Sequence, residues 1–319
     1  MPPDAAMPHI ATVTLSPALD LTIRLPRLQP GEVNRTGPAE LRPAGKGINV
    51  AVMLAVLGEP SLAAALLGEG DIPAFEAFLR PLGIASEFVP LPGRCRINVK
   101  LVETEAGQVT DINPGGPQAS EEALRQLGAR LAARAPDIVV LAGSLPPGLP
   151  VDAWAALMRV LSADGRKLLL DTSGPALEAA LPAGPALLKP NRAELSALLG
   201  RPLPDRAALI EGARALRRQG VERVVVSDGG AGALFVLPDA TLWARPSKVA
   251  LTTTVGAGDA MVAGLTAALA RGLDAEATAR LATGCAAAAV SRDVGAAGGG
   301  VPLLSEIERL AAAAEVTPL

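Results

Sequence analysis

Along most of the chain, short runs of apolar and β-branched residues alternate with longer stretches of helical periodicity. The runs at 10–15, 61–67, 137–141, 167–171, 187–189 and 223–227 have the length of buried strands. Between or beside them, 47–57, 121–134, 151–163, 192–199 and 206–219 place apolar positions at helical spacing. That alternation predicts a mostly parallel sheet covered by helices on both faces. Several strands end in a polar or glycine-rich turn, as at Gly143-Ser144 and Ser227-Asp228-Gly229-Gly230. In open α/β sheets ligands sit beyond the carboxyl ends of the strands, so the chemistry is expected along that edge.

Two segments break the pattern. Residues 21–41 and 94–112 lack helical periodicity and alternate in polarity, as in Arg96-Ile97-Asn98-Val99-Lys100-Leu101, with turn residues at Pro30-Gly31 and Ala106-Gly107. They read as β-hairpins inserted into the α/β core. Each is too short to bury a face alone, so the two are expected to pair into a small lid or to pack against a second subunit. There is no internal repeat, and a Gly/Ala loop at 295–300 precedes a last helix near 303–314.

Composition narrows the chemistry. Half of the 319 residues are apolar, enough for a sizeable core, and a net charge of −3 supplies no basic field for nucleic acid or an anionic membrane. His9 is the only histidine and tyrosine is absent, so a Ser-His-Asp or Cys-His mechanism or a His-rich zinc site is rejected. General-base chemistry must then come from a carboxylate or a lysine. The two cysteines, Cys95 and Cys285, have no metal-ligand spacing and fit a reducing compartment. No charge-free apolar run approaches the ~18 residues of a membrane span, and the first residues carry no basic and apolar leader pattern. A soluble, cytoplasmic protein is expected.

The strongest local signal is Thr252-Thr253-Thr254-Val255-Gly256-Ala257-Gly258-Asp259-Ala260, which runs into a helix at 261–270. Its glycines allow successive N–H groups to converge at a helix N-terminus, where the dipole favours anions. The same residues could simply shape a turn, with Asp259 capping the helix. A carboxylate inside an anion hole is, however, the pairing a kinase needs: amides hold the transferring phosphoryl group while the carboxylate takes the acceptor's proton. No Walker A loop occurs, and Gly68-Glu69-Gly70 begins a dinucleotide pattern that Pro73 breaks.

Val255-Gly256-Ala257-Gly258-Asp259 resembles the C-terminal signature of the PfkB-type sugar kinases of the ribokinase superfamily. Pro43-Ala44-Gly45-Lys46-Gly47-Ile48-Asn49-Val50-Ala51 resembles their N-terminal signature, and Lys189-Pro190-Asn191-Arg192-Ala193-Glu194 their N-x-x-E motif. The motifs stand in family order across nearly the whole chain. The resemblance implies a ribokinase-like three-layer α/β/α sandwich with a mostly parallel sheet and a small β-sheet lid, formed as a single kinase domain. It also implies ATP as donor, Mg²⁺, a phosphosugar acceptor and a possible homodimer through the lid. Thr14-Leu15-Ser16-Pro17-Ala18-Leu19-Asp20, Arg96–Leu101 and Gly143-Ser144-Leu145-Pro146-Pro147-Gly148 resemble the phosphosugar branch. Within it, Gly31-Glu32-Val33-Asn34-Arg35 and Val109-Thr110-Asp111-Ile112-Asn113 resemble the 1-phosphofructokinases. Ser16 stands where Asn is usual, and Asp228 where an apolar residue is usual.

By this resemblance Asp259 is the catalytic base and Gly256, Ala257 and Gly258 its anion hole. Gly45, Asn49, Asp20 and Ser144 are expected at the sugar. Asp20 could instead be a turn residue, and Asn49 could serve the helix backbone. Arg96 and Lys100 share one face of a strand and, with Lys46, could hold the substrate phosphate, or could be a solvated lid face. Lys189, Asn191, Ser227, Gly229 and Gly232 are expected at the nucleotide. Asn191 and Glu194, three apart on one helix face, would reach a hydrated Mg²⁺; Glu194 could equally complement the helix end.

Overall fold

The computed structural model describes residues 9–162, 165–249, 256–291 and 301–319. Thr252, Thr253, Thr254 and Val255 of the glycine motif, the loop at 295–300 and residues 1–8 lie outside them.

The chain enters the core as β1 (Ile10–Thr14) and leaves it for β2 (Ala18–Leu25) and β3 (Glu40–Ala44). It returns through α1 (Lys46–Val56), β4 (Ser61–Gly68), α2 (Ile72–Leu79) and β5 (Ala85–Leu91). A second excursion, β6 (Arg96–Glu103) and β7 (Gln108–Ile112), precedes α3 (Glu121–Arg134) and β8 (Ile138–Ala142). Next come α4 (Ala153–Leu161), β9 (Lys167–Asp171), α5 (Pro175–Ala180) and β10 (Leu187–Leu188). These lead to α6 (Arg192–Leu198), α7 (Arg206–Arg218), β11 (Arg223–Ser227), β12 (Ala233–Val236) and β13 (Thr241–Arg245). The chain ends in α8 (Ala257–Ala270), α9 (Ala275–Ser291), α10 (Leu304–Ala312) and β14 (Glu315–Pro318).

The main sheet has ten strands in the order β14-β13-β12-β11-β10-β9-β8-β1-β4-β5. Strands β11, β10, β9, β8, β1, β4 and β5 are mutually parallel, and β12, β13 and β14 extend one edge antiparallel. Side-chain alternation divides the core. Val13, Leu141, Leu170 and Val226 pack with Leu127, Trp154 and Leu209 of α3, α4 and α7. Their neighbours Ile138, Val140, Leu169 and Val225 pack with Leu54, Val262 and Ala282 of α1, α8 and α9. The expected three layers are therefore present. A fully buried Leu or Val contributes about 1.5–3 kcal/mol, so period-two apolar strands between two helical layers are the main favourable term.

One close approach places the site. At Gly47 a Cβ would stand 2.6 Å from Thr14 Oγ1 and 2.7 Å from the Val13 carbonyl. Only glycine lets the start of α1 press against the end of β1, which brings Lys46 and Asn49 over the carboxyl edge of the sheet.

The small sheet has the order β3-β2-β6-β7. The two excursions pair with each other as expected: β2 with β3 and β6 with β7 are antiparallel pairs, and parallel pairing of β2 with β6 joins them into one small sheet. Strand β2 begins at Ala18, so Asp20 is a strand residue rather than part of a turn. In register, Asp20 stands between Arg42 and Asn98, Thr22 between Glu40 and Lys100, and Lys100 opposite Asp111. The opposite face carries Leu21, Ile23, Val99 and Leu101 with the exposed Leu41, Ile97 and Ile112. No helix among the described residues is long and apolar enough to cross a membrane.

Candidate active site

From β1 the chain moves outward to β4 and β5, then crosses back to β8 and proceeds the other way through β9, β10 and β11. The reversal opens a crevice at the carboxyl ends of β1 and β8. Gly143 and Ser144 end β8 there. Thr172 Oγ1 and Trp154 Nε1 donate to the Gly143 carbonyl at 2.9 and 3.3 Å, which fixes the turn, and Ser144 is exposed on it.

The centre of the crevice is a charge cluster in which Asp171 and Lys189 are buried and Lys46 is partly exposed. Asp171, the last residue of β9 and 2% exposed, accepts from Lys46 Nζ at 3.1 Å and lies 3.3 Å from Lys189 Nζ. Burial alone would push the Asp171 carboxyl up, but Lys189 and Lys46 outweigh it and hold it below the usual carboxylate range. Burial would pull Lys46 down, yet Asp171, Asp259 and Glu194 hold it above its ordinary value. Lys46 thus belongs to the core cluster and not to the lid face of Arg96 and Lys100. Asp171 was passed over in the sequence. A carboxylate closing an otherwise apolar strand at the ligand edge was the available signal.

Asp259 lies in the first turn of α8, 8% exposed, and Asn49 Nδ2 donates to its Oδ2 at 2.8 Å. Burial first, and then repulsion from Asp171, push its pKa up to about 6, against the Asn49 hydrogen bond and the two lysines. The cap position of α8 is Gly256, at φ +81°, with no side-chain capping bond, so Asp259 is not the helix cap. The first N–H groups of a helix have no acceptor within it, so those of Ala257, Gly258 and Asp259 are available to an anion. Lys189 Nζ stands 3.5 Å from where a Cβ on Gly258 would lie, so an ammonium adjoins this anion hole.

The lid faces the same cleft. Asp20, Thr22, Glu40, Arg42 and Lys100 line it from the lid, and Asn49, Gly256 and Asp259 from the core. Asn98 Nδ2 donates to Asp20 Oδ1 at 2.9 Å, so Asn98, not singled out from the sequence, orients the acid. Lys100 Nζ donates to Asp111 Oδ1 at 2.9 Å. Arg96 Nη2 donates to the Ser16 carbonyl at 3.3 Å.

At the start of α6, Asn191 and Glu194 form a reciprocal capping box. Asn191 Oδ1 accepts from the Glu194 N–H, and Glu194 Oε2 from the Asn191 N–H, both at 2.8 Å. The helix-end role weighed in the sequence is real. Among the described residues it leaves one Glu194 oxygen uncommitted. Among the described residues no group of three or more His, Cys, Asp or Glu could cage a metal. One carboxylate suits Mg²⁺, which keeps several waters and takes few protein ligands. Ser227 closes β11 and bridges to Asn191, while Gly229 and Gly232 shape the turn that follows.

A buried carboxylate beside helix amides and two ammonium groups, at the carboxyl edge of a parallel sheet and under a lid, defines an enzyme of phosphoryl transfer to a hydroxyl. The chain belongs to the pfkB family of carbohydrate kinases, whose pattern matches residues 13–298. It is 50% identical to a 1-phosphofructokinase of Xanthomonas campestris pv. campestris over 264 residues, 81% of this chain and 83% of that protein. It is 42% identical over 310 residues to a 1-phosphofructokinase of Rhodobacter capsulatus, covering 96% of each. The solved structure of phosphofructokinase-2 from Escherichia coli in complex with fructose-6-phosphate superposes with a TM-score of 0.88. That match has 29% identity and covers 95% of this chain and 98% of the other.

Proposed function

We propose that the protein is a 1-phosphofructokinase, transferring the γ-phosphoryl group of ATP to the 6-hydroxyl of D-fructose 1-phosphate. The products are D-fructose 1,6-bisphosphate and ADP. The phosphoryl chemistry rests on the buried Asp259 at the amide-lined start of α8, and the choice of sugar on the identity to 1-phosphofructokinases over most of the chain.

Asp259 takes the proton of the 6-hydroxyl as that oxygen bonds to the γ-phosphorus. The bond from the γ-phosphorus to the bridging oxygen breaks, and its electron pair leaves with ADP. The N–H groups of the Gly256–Gly258 turn face the equatorial oxygens, where fixed dipoles need no reorganisation. Lys46 and Lys189, held by Asp171, add positive charge there. Asn49 holds Asp259 and keeps its carbonyl oxygen for a sugar hydroxyl. Gly45 and Ser144 border the sugar, Asp20 accepts from its hydroxyls, and Lys100 with Arg96 meets the existing phosphate. Lys189, Asn191, Ser227, Gly229 and Gly232 hold the nucleotide. Mg²⁺ held through water by Glu194 and Asn191 would neutralise the β- and γ-oxygens. The apolar outer face of the lid suits pairing of two copies, and the enzyme works in the cytoplasm.

Fructose 1-phosphate presenting its 6-hydroxyl closely resembles fructose 6-phosphate presenting its 1-hydroxyl, because both arms flank the ring oxygen. The phosphate grip is common to the two, so the anomeric hydroxyl must decide. A coupled ADP-release assay over fructose 1-phosphate, fructose 6-phosphate, tagatose 6-phosphate and free fructose tests the assignment. Fructose 1-phosphate should lead by at least about tenfold in kcat/KM, some 1.4 kcal/mol of transition-state binding. A lead for either 6-phosphate would overturn the substrate and leave the kinase reading standing.

A further inference from the structure

Two segments assigned to the nucleotide meet from neighbouring strands. β10 leads through Lys189 and Pro190 to the start of α6, and β11 leads through Ser227 into the turn at 228–232. Their backbones are tied where the Ser227 N–H donates to the Pro190 carbonyl at 3.1 Å. A second tie is made by side chains. Arg192, the first residue of α6, donates from Nη2 to Asp228 Oδ2 at 2.6 Å and from Nη1 to the Leu203 carbonyl at 3.0 Å. One guanidinium therefore spans the start of α6, the end of β11 and the link to α7. The two side chains are 30% and 19% exposed.

Asp228 is the only acid in the 227–232 segment and opens its turn: its N–H donates to the Gly232 carbonyl at 2.9 Å, and its own carbonyl accepts from the Ala231 N–H at 3.1 Å. A bare carboxylate in a turn facing a triphosphate would repel it. Here the Arg192 guanidinium, 2.6 Å away, offsets that charge.

We infer that Arg192 is a positioning residue for ATP: it neutralises Asp228 and holds that carboxylate against α6, so that an acidic turn accepts a triphosphate. The inference rests on the reading of Ser227, Gly229 and Gly232 as nucleotide residues. A partly exposed ion pair contributes little to folding, so its consequence lies in nucleotide binding.

Arg192→Gln removes the charge and keeps an amide donor. Its KM for ATP should rise about tenfold, with kcat, the KM for fructose 1-phosphate and the thermal midpoint nearly unchanged. The defect should shrink as salt is raised, because the repulsion is screened. Adding Asp228→Asn to Arg192→Gln should return the KM for ATP to within about twofold of the parent, since the unpaired acid is gone. An unchanged KM for ATP, a double variant as impaired as the single one, or parallel losses for both substrates with a lowered thermal midpoint would each overturn the inference. Gly229→Val separates it from the underlying reading. If that variant leaves the KM for ATP unchanged, the nucleotide assignment falls and the inference with it. If Gly229→Val raises that KM and Arg192→Gln does not, only the inference falls.

Discussion

Asn49 Nδ2 lies 2.8 Å from Asp259 Oδ2, joining the first turn of α1 to the first turn of α8 across 210 residues of sequence. The bond aims the carboxylate and favours its ionised form, while burial and Asp171 oppose ionisation and set the pKa at about 6. A base must be ionised to act, so activity is expected to fall as the pH drops below about 6. The second ionisation of a sugar phosphate lies in the same range, so the useful reading is a difference between variants. Asn49→Leu removes a bond that favours the anion, so the acid limb of the kcat profile should move to higher pH. An unmoved limb would mean that the bond does not govern the base.

Asp171→Asn should move that limb the other way. The loss of a facing negative charge makes Asp259 easier to ionise. The same change leaves Lys46 and Lys189 without their common partner, 3.1 and 3.3 Å away. Removing one member of a buried ion cluster typically costs ~3–5 kcal/mol, so the thermal midpoint should drop clearly and kcat should fall. A full-speed enzyme with an unchanged acid limb would show that Asp171 serves the fold alone.

Glu194→Gln keeps the shape of the capping box and weakens the charge offered to a hydrated metal. The Mg²⁺ concentration for half-maximal rate should rise several-fold, with the KM for fructose 1-phosphate nearly constant. Helix stability should change by less than ~1 kcal/mol, because the amide oxygen still accepts from the Asn191 N–H. An identical Mg²⁺ titration would leave Glu194 as a helix cap only.

Much of the frame was legible in the sequence, because strands buried on both faces read as continuous apolar runs and α3, α6 and α7 carry clear starts. Ser120, Asn191 and Asp205 each accept a first-turn N–H with their side chains. The antiparallel edge β12 to β14, the outer strand β5 and helix α9 were not singled out. β5 carries Glu87 and Pro90, which suit an edge strand and interrupt an apolar run. α9 is so rich in alanine that its buried face lacks contrast in a chain where alanine is common. The glycine motifs, Asp259 and Asn191-x-x-Glu194 were visible because their spacing is local. The Asp171 cluster was not, since it gathers Lys46 from 125 residues away and acquires its meaning only when β9 and α1 meet. Asn98 was hidden for the same reason, as its bond to Asp20 crosses the pairing of β2 with β6.

The most direct measurement is the turnover of Asp259→Asn with fructose 1-phosphate and saturating Mg-ATP, beside its affinity for ATP. The substitution keeps the shape of the first turn of α8 and its amides and removes the base. Turnover should fall by ~10²–10⁴-fold, the range for loss of a general base, with ATP affinity within about threefold of the parent. Retention of more than about a tenth of the parent turnover would contradict the assignment of Asp259 as the base.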